Sequence, residues 1–184
     1  MKIRSFIKRL QHLLVFYLFG GEKLAKMLGV KIGSNCRVYI KSFGSEPFLI
    51  SIGNNVTLTL GVTFITHDGA TCLVLNESGQ RYQKFSTIEI GDNVFIGVNT
   101  IIMPGVKIGS NVIVAAGGVV SKSLQSNAVY AGVPAKKIMS FDAYEKKVKS
   151  QYVNNEDLLN ESTYEEKVHR AVQLIEQNSK GYDK

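Results

Sequence analysis

The sequence is poor in the residues that build covalent cross-links, metal sites and membrane spans. Its 184 residues include two cysteines, three histidines, three prolines and no tryptophan. Cys36 and Cys72 are too few for a disulfide framework and lack CxxC spacing, so a cytoplasmic, reducing location is expected. The apolar run at residues 13–19 is far shorter than the roughly 20 residues that span a bilayer. No small-x-small cleavage site follows it, so a secretion signal is not expected.

Positive charge is concentrated in the first three quarters of the chain. Residues 1–140 contain 15 Lys and Arg against 6 Asp and Glu, whereas residues 141–184 contain 7 against 9. The first part should therefore attract anions. No nucleic-acid-binding module is recognisable, and no Lys/Arg run is interleaved with aromatic residues, so nucleic acid is not an expected partner. A phosphorylated cofactor or an anionic glycan accounts for the charge as well.

What the sequence does contain is a six-residue repeat. Between residues 88 and 125 an aliphatic residue returns every six positions, at Ile90, Ile96, Ile102, Ile108, Val114 and Val120. This spacing is neither a helical period nor simple strand alternation. Hexads with glycine beside the apolar position are typical of a parallel β-helix, in which three short strands and three tight corners complete a coil of about 18 residues. The repeat therefore predicts an all-β core.

The repeat begins near Val30 and is interrupted twice. Ile32 and Ile52 are twenty positions apart, which predicts a two-residue insertion within residues 41–49. The next coil is regular and should point four side chains inward: Ile52, Val56, Leu58 and Phe64. Residues 66–87 contain no hexad, so they are predicted to leave the coil as a loop that pairs on itself around residues 76–79. Long loops in compact repeat proteins are usually functional.

A helical extension is expected at the N-terminus, over residues 1–29. Ile3, Ile7, Leu10, Leu14 and Leu18 fall on one helical face, with Lys2, Arg4, Lys8 and Arg9 among them. This pattern predicts one or two amphipathic helices that end near Gly29. Two roles remain open: a cap on the coil stack or contact with a neighbouring subunit, and a basic anchor on an anionic membrane surface at the inner face of the cell membrane.

A second helical extension is expected over residues 141–184. Four residues at helical spacing, Tyr164, Val168, Ala171 and Ile175, indicate one helical face in a segment of mixed charge. The ordinary role of such a tail is a cap or a subunit contact. The predicted organisation is thus a β-helix at residues 30–140 between an N-terminal and a C-terminal helical segment.

Five motifs carry a resemblance to a known family. In chain order they are ITHDGA (65–70), IGDNVFIG (90–97), MPGVKIG (103–109), AAGGVVSK (115–122) and AGVPAKKI (131–138). They resemble the hexapeptide-repeat acyltransferases, and are most similar to the maltose, galactoside and polysaccharide O-acetyltransferases. The resemblance covers roughly residues 30–140. AGVPAK is the most selective motif, because the repeat itself does not require it.

The resemblance implies a left-handed parallel β-helix and a homotrimer, with acetyl-CoA in the groove between neighbouring subunits. It also implies direct acetyl transfer to a hydroxyl of a sugar or surface polysaccharide, or of its precursor. In this family a histidine at the start of the overhanging loop acts as general base, and His67 matches it. An imidazole suits this role because it can take the proton of an attacking hydroxyl and return it to the leaving thiolate.

The resemblance also assigns cofactor residues. Backbone N–H groups around Gly97 and Val98 match the donors to the oxyanion, although Val98 stands where the sugar acetyltransferases frequently have serine. Gly97, Ala116 and Gly117 match small residues along the pantetheine arm. Residues near the adenine and its phosphates correspond to Ser121, Lys122, Lys136 and Lys137, and lysines suit phosphate binding. Tight corners and a solvated basic face are the ordinary alternatives.

Other assignments near the loop remain open. Asp68 either orients His67 or is a solvated loop acid. Cys72 raises a Cys–His acyl-enzyme alternative, which is disfavoured because the run TCLVL is typical of a buried strand. Cys36 occupies a small-residue hexad position and is expected in the core. Acceptor residues do not map through the interrupted coil, but Glu46, Arg81 and Tyr82 lie in segments that could line the acceptor site.

Three other functions remain as alternatives. An N-acetyltransferase acting on an amino sugar shares the same motifs. A non-catalytic β-solenoid should show a regular outward array such as repeated Thr-x-Thr, and residues 57–59 give a single instance. A metal-dependent β-helix enzyme needs about three metal ligands on adjacent coils, whereas the repeats contain one histidine, so no metal is expected.

Overall fold

The computed structural model describes residues 2–180 of the chain, with side chains for residues 7–177. The predicted helix-face position of Ile3, and the side chains of Lys2 and Arg4, lie outside the described side chains. The chain forms two compact units, Met1–Phe141 and Asp142–Lys184. The first unit contains the repeats and the predicted site.

Short strands follow one another in sets of three along the first unit. After helix α1 (Lys2–Leu28) they are β1 (Lys31–Ile32), β2 (Arg37–Val38), β3 (Ile50–Ile52), β4 (Val56–Leu58), β5 (Thr63–Phe64), β6 (Ile88–Ile90), β7 (Val94–Ile96), β8 (Ile101–Ile102), β9 (Lys107–Ile108), β10 (Val112–Val114), β11 (Val119–Val120), β12 (Ala128–Ala131) and β13 (Lys136–Ser140).

The strands form three parallel sheets, one for each side of a coil. Their orders are β1-β3-β6-β9, then β2-β4-β7-β10-β12 with β13 at the edge, and β5-β8-β11. Every pairing is parallel except that of β12 with β13. Successive strands of the chain thus belong to successive sheets, which is the parallel β-helix that the hexads predict.

Strand register confirms the two predicted interruptions. Ile32 pairs with Ile52, and the extra residues between them include a 3₁₀ turn at Pro47–Leu49. Ile52 pairs with Ile90, because residues 66–87 are excluded from the coil. Ile90 then pairs with Ile108 and Ile102 with Val120 in the regular coils.

The aliphatic hexad positions form the core. Ile96, Ile102, Val114 and Val120 are fully buried, and Ile90 and Ile108 are at most 5% exposed. The four inward positions predicted for the second coil are buried as well. Ile32 is only partly buried because it belongs to the first coil, which has a coil on one side only. Each fully buried Val, Ile or Leu side chain contributes about 1.5–3 kcal/mol.

A stack of asparagines forms one corner of the coil, between the first and second sheets. Its members share a left-handed backbone with φ between 53° and 61°: Asn35, Asn55, Asn93, Asn111 and Asn127. Each side-chain amide donates to the next asparagine's Oδ1, over 2.7–3.3 Å. Asparagine tolerates this backbone better than other non-glycine residues, so the ladder holds the corners in register.

Helix α1 covers the first coil with its second half. The helix breaks at Gly20, where φ is 81° and ψ is 170°, and it ends at Leu28 as predicted. After the break, Leu24 and Ala25 are fully buried. A side chain at Gly21 would collide with the backbone carbonyl of Val38, so the helix approaches β2 closely. The predicted cap is therefore confirmed for residues 21–28.

The coil ends in a hairpin. Strand β12 is followed by a turn at Gly132, where φ is 95°. The chain then returns as β13 antiparallel to β12, a strand that was not predicted. The sequence does not predict β13, because this strand lies at the exposed edge of its sheet. It therefore lacks the alternation of buried and exposed residues by which a strand is recognised.

The second unit is helical, as predicted. It contains α2 (Phe141–Gln151) and α3 (Tyr164–Lys180). Thr163 and Glu166 form a capping box at the start of α3, with Thr163 Oγ1 accepting from the Glu166 N–H and the Glu166 carboxylate accepting from the Thr163 N–H. Tyr164 and Val168 on the predicted face are exposed. Within residues 2–180, no helix has the length and apolar character needed to cross a bilayer.

Candidate active site

The loop at residues 66–87 leaves the coil as a long hairpin. Its two arms are joined near the coil by Asp68 N–H to Lys84 O (3.0 Å) and Ser86 N–H to Thr66 O (2.8 Å). The predicted turn is confirmed at Asn76, whose Oδ1 accepts from the N–H groups of Ser78 and Gln80. The hairpin fixes the backbone on both sides of His67.

The prediction that TCLVL is a buried strand is wrong. Residues Gly69–Leu73 form a 3₁₀ helix, and Cys72 is exposed. Leu73, Val74 and Leu75 are 84, 58 and 57% exposed. The apolar side chains project from the hairpin instead of packing on the coil, because the hairpin stands away from the core. Cys36, by contrast, is half-buried against the core, where burial raises the pKa of its thiol.

His67 is held by a carboxylate from the preceding coil. Its Nδ1 lies 2.9 Å from Glu46 Oε2, and the Oγ1 of the buried Thr66 donates to the same oxygen at 2.5 Å. These two hydrogen bonds lower the pKa of Glu46, the bond from Thr66 having the larger effect. Glu46 is therefore ionised near neutral pH and accepts both bonds.

The contact with Glu46 determines which nitrogen of His67 is available for chemistry. Because a carboxylate only accepts hydrogen bonds, Nδ1 carries the proton and donates it. Nε2 then keeps its lone pair, and among the described residues nothing hydrogen-bonds to it. The His67 side chain is 39% exposed, and its ring lies 5.9 Å from that of Phe85. This arrangement suits a general base.

Asp68 does not orient His67. Its Oδ1 accepts from the Ala70 N–H and caps the 3₁₀ helix that follows. The carboxylate that contacts His67 is therefore that of Glu46 and not that of Asp68. From the sequence, Glu46 was expected only in a segment that could line the acceptor site. The sequence did contain a signal for this contact. The first two coils are offset by twenty residues, so Glu46 lies beside Thr66, the residue that precedes His67.

A cavity of about 390 Å³ opens beside His67. Lys84 from the hairpin lines it, together with Met103, Pro104 and Ser121 from the corners after β8 and β11. We call this edge of the coil, formed by the segments that follow β5, β8 and β11, the His67 corner. Ser121 is the one predicted cofactor residue that shares the cavity with His67. Lys122 follows it on the exposed surface.

Four other predicted cofactor residues lie on a different edge of the coil: Gly97, Val98, Ala116 and Gly117. We call this edge, formed by the segments that follow β4, β7 and β10, the Gly97 corner. Gly97 stacks directly on Ala115 and Ala116: a Cβ at Gly97 would lie 2.7 Å from Ala115 C and 2.8 Å from Ala116 Cα. The Gly117 N–H donates to Val98 O at 2.7 Å. Small residues thus allow close stacking of the corners, and Ala116 and Gly117 remain exposed.

The two proposed oxyanion donors differ in availability. The Gly97 N–H donates to Val114 O at 2.8 Å within the coil, so it is not free to bind an oxyanion. No hydrogen bond in the described part of the chain occupies the Val98 N–H, and Val98 is 43% exposed. Of the two N–H groups, that of Val98 is therefore the one left free among the residues described.

The hairpin of β12 and β13 extends the Gly97 corner. Val119 N–H donates to Gly132 O, and Ala135 N–H donates to Val119 O. Lys136 pairs with Ala131 at the start of β13, and Lys136 and Lys137 are exposed. Two basic side chains thus lie next to this corner. No cluster of three or more His, Cys, Asp or Glu suited to a metal ion occurs among the residues described.

One chain therefore divides the predicted residues between two edges of a triangular coil. His67 and Ser121 lie at the His67 corner, where Glu46 of the first coil contacts His67. Gly97, Val98, Ala116 and Gly117 lie at the Gly97 corner, separated from it along each coil by a strand of the third sheet. A single copy of the chain does not bring the two sets together.

A parallel β-helix of hexads with a histidine-bearing hairpin defines a class, the hexapeptide-repeat transferases. A family model described as bacterial transferase hexapeptide (six repeats) matches residues 87–122. Protein CapG of Staphylococcus aureus is 47% identical over 149 residues, covering 79% of this chain and 84% of CapG. The chain belongs to the hexapeptide-repeat acyltransferase family. It is therefore an enzyme of that family and not a non-catalytic solenoid.

Two further comparisons concern sugar acetyltransferases. Galactoside O-acetyltransferase of Escherichia coli K12 is 32% identical over 117 residues, and the match covers 64% of this chain and 57% of that enzyme. A solved structure of galactoside acetyltransferase in complex with coenzyme A superposes with a TM-score of 0.51 at 26% identity. It covers 76% of this chain and 83% of the other.

Proposed function

We propose that the protein transfers an acetyl group from acetyl-CoA to a hydroxyl group of a sugar within a surface polysaccharide or its precursor. The observation that carries the proposal is the pairing of His67 Nδ1 with the Glu46 carboxylate, which leaves Nε2 without a hydrogen bond in a residue that lines an open cavity. The similarity to galactoside O-acetyltransferases supports a sugar hydroxyl as the acceptor.

The reaction follows from the protonation state of His67. Nε2 takes the proton of the acceptor hydroxyl as its oxygen attacks the thioester carbonyl, and Glu46 stabilises the imidazolium that forms. A C–O bond forms and the C–S bond then breaks. The proton passes from Nε2 to the departing sulfur, which gives the acetyl ester and free CoA. The transfer is direct, because exposed Cys72 has no contact with His67 in the described structure that would activate it.

Acetyl-CoA fits the Gly97 corner. The coenzyme A in the galactoside acetyltransferase structure supports CoA as the ligand. At this corner the small residues Gly97, Ala116 and Gly117 would let a pantetheine arm approach the backbone, and the Val98 N–H is available to an oxyanion. Lys122, Lys136 and Lys137 supply positive charge for phosphates, and Ser121 reaches the cavity from the other edge.

A homotrimer is part of the proposal, with a left-handed coil and each active site between two subunits. It is supported by the separation of the His67 and Gly97 corners in a single chain. The hairpin supplies a second reason: Leu73, Val74, Leu75, Tyr82 and Phe85 are all more than half exposed. An apolar patch of this kind marks a contact surface. Packing the hairpin on a neighbouring subunit would place His67 opposite that subunit's Gly97 corner.

A cytoplasmic location is also proposed. Both Cys36 and Cys72 are free thiols, which are typical of a reducing compartment. The donor acetyl-CoA is an intracellular metabolite, so the reaction requires access to the same compartment.

The decisive experiment follows release of CoA thiol from acetyl-CoA in the presence of sugar and polysaccharide acceptors. His67→Gln should reduce kcat by about 10²–10⁴-fold, the usual contribution of a general base. His169→Gln, which removes an exposed histidine of α3, is the matched control and should match wild type. Absence of transfer to any glycan by the wild type, or full activity of His67→Gln, would overturn the proposal. Transfer only to amino sugars, with an alkali-stable product, would establish N-acetylation instead.

A further inference from the structure

The first half of helix α1 presents an apolar stripe to solvent. We define the α1 stripe as the six side chains Ile7, Leu10, Leu13, Leu14, Tyr17 and Leu18. At 100° per residue they fall within an arc of about 140° on the helix surface. Each is exposed by 41–71%. The stripe therefore requires a covering surface that the first unit does not supply.

The break at Gly20 explains why the stripe stays uncovered. Residues 21–28 are fixed to the first coil by the fully buried Leu24 and Ala25. At Gly20 the backbone leaves helical geometry, so the preceding residues follow a new direction. The first half of α1 thus leaves its apolar stripe exposed by 41–71% instead of adding it to the core.

The charge next to the stripe has one sign. Residues 1–21 include four Lys and Arg and no Asp or Glu. Lys8 and Arg9 are exposed and flank the arc on opposite sides, about 80° and 40° from its edges. Lys41 from the first coil adds a third cation, donating to the Tyr17 hydroxyl at 2.6 Å with its ammonium 4.5 Å from the Tyr17 ring. The stripe thus has one cation on each flank and a third at its C-terminal end.

This charge distinguishes between the possible covering surfaces. Two copies of the stripe packed together would bring cations against cations, which is unfavourable. An anionic lipid surface complements both features: the acyl region accepts the apolar arc, and the headgroup phosphates pair with the bases. The helix would lie in the plane of the surface, since none of the described helices crosses a bilayer.

We propose that the α1 stripe binds the surface of an anionic lipid bilayer and holds the protein at the membrane. The inference does not depend on the acetyl-transfer reaction or on the identity of its acceptor. It assigns separate roles to the two halves of α1: residues 21–28 attach to the coil, and the residues before Gly20 attach to lipid.

The experiment is co-sedimentation of the full-length protein with vesicles. Wild type should bind vesicles of phosphatidylcholine and phosphatidylglycerol in a 7:3 ratio, bind phosphatidylcholine vesicles weakly, and dissociate as salt is raised to 0.5 M. Leu10→Glu with Leu14→Glu should weaken binding by about tenfold or more, because the apolar arc is interrupted. Lys8→Glu with Arg9→Glu should weaken it by at least about tenfold on the anionic vesicles alone.

Matched variants in the second unit control for charge and exposure. Leu159→Glu replaces a leucine that is 74% exposed, more than Leu10 and Leu14 at 50 and 52%, and Lys146→Glu with Lys147→Glu makes the same charge reversal on α2. Both should bind vesicles as wild type does, and circular dichroism should show native folding for every variant. The proposal is overturned if wild type stays in the supernatant with anionic vesicles, or if both α1 variants bind normally. It is also overturned if Leu10→Glu with Leu14→Glu binds vesicles normally but lowers the mass of the protein in light scattering. The stripe would then be a contact surface for a second copy of the chain.

Discussion

At the scale of single residues, the site depends on one carboxylate. Glu46 accepts from Thr66 Oγ1 and from His67 Nδ1, so it holds the imidazole in the tautomer that leaves Nε2 basic. Thr66 is 1% exposed, and its hydroxyl is committed to this contact. In the proposed reaction Glu46 is a positioning residue that acts through His67, and two predictions isolate its effect.

Replacing Glu46 should affect turnover more than substrate binding. Glu46→Ala removes the acceptor for Nδ1–H, so the imidazole loses its fixed tautomer and orientation, and we expect kcat to fall about 10–100-fold with little change in KM for acetyl-CoA. Steady-state kinetics measures both constants. The control is Glu77→Ala, which replaces an exposed glutamate at the tip of the hairpin that carries His67. An unchanged kcat for Glu46→Ala would show that the contact with His67 has no catalytic role.

The lowered pKa of Glu46 predicts a pH dependence of stability. Because the carboxylate is harder to protonate in the folded state, its contribution is present above its unfolded pKa and is lost as the pH falls through the lower, folded value. Below about pH 4.5, the melting temperature of wild type should therefore fall more steeply than that of Glu46→Gln. Thermal melts between pH 3 and 7 test this. Parallel curves for the two proteins would contradict it.

At the scale of structural elements, the coil depends on close stacking of its corners. The asparagine ladder aligns one corner, and small residues do so at the Gly97 corner. Hydrogen bonds such as Gly97 N–H to Val114 O tie each strand end to the next coil. Gly97 therefore has a structural role in stacking the coils besides its proposed role in binding the cofactor. Stability measurements test the structural role by itself.

A methyl group at Gly97 should destabilise the fold. Gly97→Ala places Cβ within 2.8 Å of Ala115 C and Ala116 Cα, where only backbone movement can relieve the clash. We expect a loss of about 1–3 kcal/mol in the free energy of unfolding, measured by urea denaturation. Gly69→Ala is the control, since no atom lies within 4 Å of the position its new Cβ would take, and it should change stability by less than about 0.5 kcal/mol. Equal losses of unfolding free energy in Gly97→Ala and Gly69→Ala would exclude the close stacking at Gly97 as the cause.

At the scale of the whole molecule, the described chain carries two partial sites. The His67 corner has the proposed base and the cavity, and the Gly97 corner has the small residues and the free Val98 N–H. The exposed apolar side chains of the hairpin indicate a partner surface. If the corners of neighbouring subunits meet, two variants that damage different corners should complement each other.

Mixed assemblies test this arrangement. His67→Ala and Ala116→Trp should each be inactive alone, the second because a large side chain obstructs the exposed Gly97 corner. In trimers assembled from equal amounts of both, about a quarter of the interfaces combine two intact corners, so about a quarter of wild-type activity should return. Mixtures kept as separate trimers serve as the control. No recovery in mixed trimers would place each site within one subunit.

The sequence alone determined the architecture of the coil, because its signals are local and periodic. The hexads identify the buried positions Ile96, Ile102 and Val114, the twenty-residue step locates the insertion before Ile52, and the missing hexads locate the hairpin. The predicted N- and C-terminal helices follow from helical spacing in the same way.

Tertiary structure decided what depends on contacts between coils. Glu46 reaches His67 from 21 residues earlier, the Gly97 N–H is occupied by Val114, and TCLVL is exposed on a hairpin that stands off the core. None of these features has a period, because each depends on which segment stacks on which and on what is left uncovered. The repeat specifies the coil, whereas the stacking of one coil on the next decides which side chains can react.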